Sequence, residues 1–242
     1  MSATELFRKF FGEKPVQTLE QNTSAIEIVG DIQGQGVNAL RMELAIRLLR
    51  FPAIQNAYLA RVKYKSEQTI RVLFVISAEG ITEAKKHEIA GACSGVIPLD
   101  ILFLEALPEH MASDIKTNCN PLLIEGLSLF ECPLIVCRGA NTEMPSDWLE
   151  AIAFYYVSAE NYENALIKAV ELIRSEGYEF KTVFNGKVNQ LDPKKWWEEH
   201  VLATKWSQYA EHFPSQAAMD AIVATGGVFK APMLGWKNKE PQ

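Results

Sequence analysis

No short chemical signature stands out in this 242-residue chain. It has no CxxC, no HxxxH or HExxH, no GxSxG, and no phosphate loop around its NGKVN stretch. Those motifs work through fixed spacing, so their absence excludes the compact zinc, nucleophile-elbow and P-loop chemistries. Positive charge is also short: 24 Lys and Arg stand against 30 Asp and Glu, a formal net charge of −6. Nonspecific nucleic-acid binding rests on neutralising phosphates, and this balance argues against it. No apolar run approaches the roughly 18 residues of a membrane-spanning helix. The start, MSATELFRKFFGEKP, lacks the pattern of a secretion signal, because Glu5, Arg8 and Lys9 interrupt it and no small-residue cleavage site follows. A cytoplasmic protein without membrane contact is expected. The four cysteines, Cys93, Cys119, Cys132 and Cys137, are expected as free, buried thiols. His110, Cys119, Cys132 and Cys137 lie within 28 residues but match no structural zinc spacing. Neither a metal nor a cofactor is expected.

Apolar residues are plentiful at 48%, enough for one or two cores. Splitting the chain after Asn120 leaves 13 Lys and Arg against 14 Asp and Glu in the first part. The second part has 11 against 16, a net of −5, so it carries most of the acidity. Leu6, Phe7, Phe10 and Phe11 predict a short helix with one apolar docking face, and residues 12–25 read as a linker. AIEIV at 25–29 is a strand. Gly30, Gly34 and Gly36 do not fit GxGxxG and read as a flexible strand-to-helix loop. A helix over 37–50 puts Leu40, Leu44 and Leu48 on one side, and Pro52 ends it. Tyr58, Ala60, Val62 and Tyr64 alternate onto one face of the next strand. TIRVLFVISA is apolar enough for a central strand, with Ser66–Gln68 as the tight connection. Thr82 is placed to cap the following helix and Gly95 to stop it. Pro98 precedes the strand LDILFLEAL. The order β-α-β-β-α-β predicts a ferredoxin-like, split βαβ unit of α+β class, with both helices on one sheet face and the other face uncovered.

The segment LLRFPAIQNAYLARV, then a strand, a Lys-rich helix and LDILFLEAL, resembles the C-terminal domain of the SseB (enhanced serine sensitivity) family over about residues 28–107. FPAIQNAYL is the most specific piece. The resemblance implies a protein-interaction or regulatory module and no catalytic residues.

Residues 108–131 are polar and turn-rich at first and read as a linker, leaving 132–242 as a second α+β domain. LLIEGLSLF and CPLIVCRG are two strand-like runs, and WLEAIAFYYVSA is a third. A helix follows, capped by Asn161 or Ser158, with Ala165, Leu166, Ala169, Val170 and Ile173 as its buried stripe and Gly177 as its end. Asn185-Gly186 predicts a hairpin in YEFKTVFNGKVNQL. Asp192-Pro193 starts a long helix, KKWWEEHVLATKWSQYAEHF, and a second helix ends at Gly226-Gly227. GVFKAPMLGW is a last strand with Pro232 at an edge, and WKNKEPQ a disordered tail. From 150 to 233 the element order resembles that of the first unit.

The aromatic residues are the distinctive feature. Trp196, Trp197, Trp206, Tyr209 and Phe213 fall within 18 residues, and Trp236 lies near the end. Neighbouring helical positions diverge by about 100°, so Trp196 and Trp197 cannot share a face. Trp196, Trp197, Trp206, Tyr209 and Trp236 are therefore the candidate protein-partner residues. Glu198 and Glu199 beside His200 read as a solvated helix face, since adjacent residues do not face each other. The pattern points to a non-enzymatic binding or regulatory protein of SseB-like type, with an immunity-like role as one version; a self-associating structural role is a separate reading. The alternative is an enzyme or small-ligand sensor with a cleft between its two α+β halves.

Overall fold

The computed structural model describes residues 26–65, 69–97 and 99–237. The expected N-terminal helix and its linker, the Ser66–Gln68 connection, Pro98 and the last five residues of the tail lie outside the described residues. The chain divides into two compact units after Leu123. Both mix helices with sheet, so the α+β class holds. Among the described residues no helix is long and apolar enough to cross a membrane.

The first unit runs β1 (Ile26–Asp31), α1 (Val37–Leu48), β2 (Ile54–Tyr64), β3 (Ile70–Ala78), α2 (Glu83–Cys93), β4 (Asp100–Phe103) and α3 (Glu109–Asn118). The sheet order is β1-β2-β3-β4, with β1/β2 and β2/β3 antiparallel and β3/β4 parallel. This corrects the ferredoxin-like expectation. A split βαβ inserts a strand between the two that flank each helix, whereas here those strands are direct neighbours. Element order is shared by both topologies, so order alone could not separate them. Leu104–Ala106 also turn as a 3-10 helix instead of extending β4.

Strand alternation sorts the core of this unit. Tyr58, Ala60, Val62 and Tyr64 share one face with Leu73 and Val75, as the spacing predicts. That face is not open. Met111 and Ile115 of α3 and Cys119 at its C-cap pack on it, so much of the supposed linker is a helix. Residues 109–118 look polar because their large apolar side chains are only Met111 and Ile115, four apart on one stripe, with Ala112 beside them. The alternate residues Leu59, Phe74 and Ile76 are equally buried, as are Leu40, Leu44 and Leu48 of α1 and Ile89 and Cys93 of α2. Arg47 ties α1 to α2 by donating to the carbonyls of Ala92 and Ser94 at the end of α2, where unpaired carbonyls favour a cation. Arg41 grips the Asp31 carboxylate at 3.1 Å and the carbonyls of Asn120 and Pro121, fastening the end of the unit to its first strand.

The second unit runs β5 (Ser128–Cys137), β6 (Trp148–Ala159), α4 (Tyr162–Ser175), β7 (Glu179–Val183), β8 (Asn189–Leu191), an irregular helical stretch, α5 (Gln216–Ala224), β9 (Val228–Lys230) and β10 (Leu234–Lys237). Its spine is the antiparallel pair β5/β6, and Cys132-Pro133 lie inside one strand instead of between two. Each outer edge carries two short strands in line: β7 then β8 along β5, and β10 and β9 along β6. Asn185-Gly186 is therefore not a hairpin turn, because β7 and β8 run in the same direction on the same partner. Its two left-handed residues (φ 55° and 62°) make an offset between them. Five residues, Phe184–Val188, face only Cys132 and Pro133. Pro133 has no N–H for a partner strand, and the interruption falls opposite it. Pro232 marks the corresponding break between β9 and β10. Interrupted edges resist pairing with foreign strands.

Candidate functional site

The two faces of the β5/β6 sheet are built differently. Cys132, Leu134 and Val136 of β5 and Ala153, Tyr155 and Val157 of β6 point to α4, which buries Ala165, Ala169 and Ile173 against them. The small residues of α4 let the helix sit close. Asn161 caps it by accepting from the Asn164 N–H, and Gly177 (φ 83°) ends it.

The opposite face carries one transverse row of side chains. Strand register sets Asn189 of β8 beside Glu131 of β5, Glu131 beside Tyr156 of β6, and Tyr156 beside Phe229 of β9. The stretch from Asp192 to Phe213 lies over this row. It is not the single α-helix that its composition suggests. A 3-10 turn, Pro193–Lys195, leads into a π-helical turn, Trp196–Leu202, and then into a 3-10 segment, Lys205–His212, kinked at Tyr209. The Ala203 N–H bonding to the Glu198 carbonyl, five residues back, marks the wide turn. Asp192 caps its start through the Lys194 N–H, as read from the sequence.

The π turn sets Trp196 and His200 on the row together. Their rings stack at 5.0 Å, and Tyr156 meets Trp196 edge-on at 4.8 Å. Trp206 packs edge-on against Phe154 at 5.0 Å. Trp196 is fully buried, Trp206 is 2% exposed, and the Trp196 indole donates to the Pro214 carbonyl. Both are therefore core residues, and their expected role in partner contact is corrected. A single long helix would make its faces compete for the rings, but the change of helical type turns both rings inward. Trp197 is half-buried, while Tyr209 (39%) and Trp236 (38%) are exposed. Tyr209 stands at the rim of an open depression of about 440 Å³, with His212, Lys230, Ala231 and Pro232. Trp236 lies away from it in the strand register, opposite Glu150 on β6. Of the five candidates, only Trp197 and Tyr209 thus share a segment and retain exposed surface.

Beside Trp196 a polar chain converges on Glu131. Tyr156 Oη donates to Glu131 Oε1 at 3.2 Å, Asn189 Nδ2 donates to Glu131 Oε2 at 2.9 Å, and His200 Nε2 lies 2.9 Å from Tyr156 Oη. Since the phenol proton goes to Glu131, its oxygen accepts, and the His200 tautomer with hydrogen on Nε2 satisfies the chain. The side chains of His200 and Glu131 are only 16% and 13% exposed. Burial holds the imidazole below its ordinary value; Glu131 pulls the other way and Lys205 pushes it further down. Burial first, and then Glu131, push the Tyr156 phenol well above its usual range. Sequence reasoning singles out none of Glu131, Tyr156 or Asn189. The available signal is the single acid inside the apolar strand SLFECPLIVC.

Burial pushes the Cys93 and Cys119 thiols up to about 11 and that of Cys132 to about 12. Such thiols are poor nucleophiles and poor ligands at neutral pH. Comparison with protein-family models, with curated proteins and with solved structures found no match to this chain.

Proposed function

We propose that this chain is a non-enzymatic cytoplasmic binding or regulatory protein whose second unit holds a protein partner through the Trp196–His212 segment. The observation that carries the reading is the division of labour within that segment. Trp196 and Trp206 anchor it in the core, while Tyr209 is displayed at the rim of an open depression and Leu202 is 49% exposed. A rigidly anchored aromatic ring offers large contact area at little entropic cost. The polar groups that would otherwise suggest acid–base chemistry, Glu131, Tyr156 and His200, are committed to one another under Trp196. The acidity of the second part, 11 Lys and Arg against 16 Asp and Glu, favours a partner with a basic surface. The SseB-like resemblance of residues 28–107 belongs to the same proposal and supports a regulatory role.

The test is affinity capture with the full chain at low and high salt, comparing the wild type with Leu202→Ala/Tyr209→Ala. A supporting result is a species that the wild type holds at low salt, loses at high salt, and that the variant fails to hold while keeping its melting temperature. Capture that ignores the substitution overturns the assigned surface. Capture of the chain itself alone, or no capture, overturns the partner reading.

A further inference from the structure

We infer that the His200–Tyr156–Glu131 chain is a proton-sensitive latch that fixes the Trp196–His212 segment to its sheet and so governs how Tyr209 and Leu202 are presented. The inference rests on the reading of that segment as the partner surface. Three observations lead to it.

The first is the anchor itself. A π turn is an uncommon conformation that appears mostly as a single turn, frequently at functional sites. Trp196 supplies some of its contacts through Tyr156, Phe213 and the Pro214 carbonyl, and His200 supplies the rest of the link to the sheet. His200 stacks on Trp196, meets Tyr156 edge-on at 5.1 Å, and carries the polar contact from the π turn to the transverse row.

The second is the direction of the hydrogen bonds. Every donor points toward Glu131, whose two oxygens are already engaged by Tyr156 and Asn189. A second proton on His200 goes to Nδ1 and creates no new bond with that carboxylate, whose Oε1 stays 3.9 Å from Nε2.

The third is the charge around the ring. Glu131 faces it from β5, the phenol of Tyr156 from β6, and Lys205 bears on it from the following 3-10 segment. β8 contributes the neutral Asn189. On the π turn, Glu198 and Glu199 are exposed, and Glu199 pairs with Lys195. On α5, Asp220 accepts from Gln216 at 2.7 Å. Lys230 of β9 is held by Glu176 and packs over Tyr155 and Tyr178, on the other sheet face. Among the described residues Glu131 is thus the carboxylate that bears on His200. It opposes the cost of burying a cation, which is the larger effect.

The sign follows from linkage. The docked imidazole binds its proton less readily than a free one, whose ordinary value is about 6.5. The latch is therefore at full strength above about pH 6.5 and weakens as the pH falls through the window below it.

The experiment is hydrogen–deuterium exchange on the full chain in steps from pH 7.5 down to 4.5, corrected for intrinsic rates, for the wild type and His200→Gln. Gln keeps an N–H for Tyr156 and does not titrate. The wild type is expected to exchange the amides of residues 196–212 faster at pH 5.5, by up to about tenfold, the ceiling set by a free imidazole whose ordinary value lies about one pH unit above that pH. His200→Gln is expected to show no such rise. In parallel, the imidazole NMR titration of His200 in the wild type should share its midpoint with the exchange change. An unchanged rate in the wild type, an equal rise in both proteins, or midpoints that differ overturns the latch. None of these outcomes depends on a partner, so failure of the latch and failure of the partner reading are separable.

Discussion

Trp196 and Trp197 are adjacent in sequence and opposite in fate. Trp196 has no exposed surface, donates through its indole and stacks on His200. Trp197 is half-buried, and the bond at its position is made by its backbone N–H to Gln216 Oε1, which any residue except proline preserves. Trp196→Ala should cost about 3–5 kcal/mol of unfolding free energy, the range for deleting a large buried aromatic. Trp197→Ala should cost clearly less, because part of its side chain already lies in water and less apolar surface is lost. Denaturant unfolding of the two variants measures this. Similar losses would mean that the π turn does not orient the rings as described. Adjacency in a helix requires the two rings to diverge, and they do. Which of them turns inward depends on a helical type that no local propensity encodes.

At the scale of elements, glycines distinguish space from backbone freedom. Gly235 of β10 has no left-handed dihedral, yet a Cβ there would overlap the Trp148 ring, which lies against its Cα. Gly91, within α2, has an ordinary helical backbone, and a Cβ added to it would meet nothing within 4 Å. Gly235→Ala should therefore destabilise the second unit by roughly 1–3 kcal/mol through overpacking. Gly91→Ala should stabilise the first by about 0.5–1 kcal/mol by removing helical glycine. Thermal melts of both variants would show opposite shifts; a shift of the same sign in both would refute the account. The elements legible in the sequence are those set by a local bond. Thr82, Asn161 and Asp192 cap as read, and Tyr58 to Tyr64 alternate as read. Asn185-Gly186 misleads because the pair reports two left-handed residues and says nothing of where the chain goes next. A hairpin and an in-line offset place the same demand on those residues, and Pro133, about fifty residues away along the chain, belongs to the difference.

For the whole molecule, sheet order and the role of residues 109–118 are the parts that local reading cannot supply. Both are decided by long-range pairing. β1 and β2 are neighbours because Ile26 pairs with Tyr64, and α3 is a helix that matters because Tyr58, Val62, Leu73 and Val75 need a cover. The polar chain under Trp196 is equally hidden, since Glu131, Tyr156 and Asn189 meet only through register across three strands and His200 reaches them from the π turn. The place where the first unit ends is therefore a physical question with a direct test. Cut after Leu107, the boundary suggested by composition, the first unit loses Met111, Ile115 and Cys119 from its core. Cut after Leu123, it keeps them, together with the clasp of Arg41 on Asn120 and Pro121. Each fully buried Met or Ile contributes about 1.5–3 kcal/mol, so loss of α3 removes a large part of the stability of a small domain. Residues 1–123 are expected to unfold cooperatively and to give dispersed amide resonances. Residues 1–107 should bind a hydrophobic dye or aggregate through the uncovered face of β2 and β3. If the shorter fragment folds as well as the longer one, α3 is the spacer its composition resembles. If it fails while 1–123 folds, the helix is part of the domain.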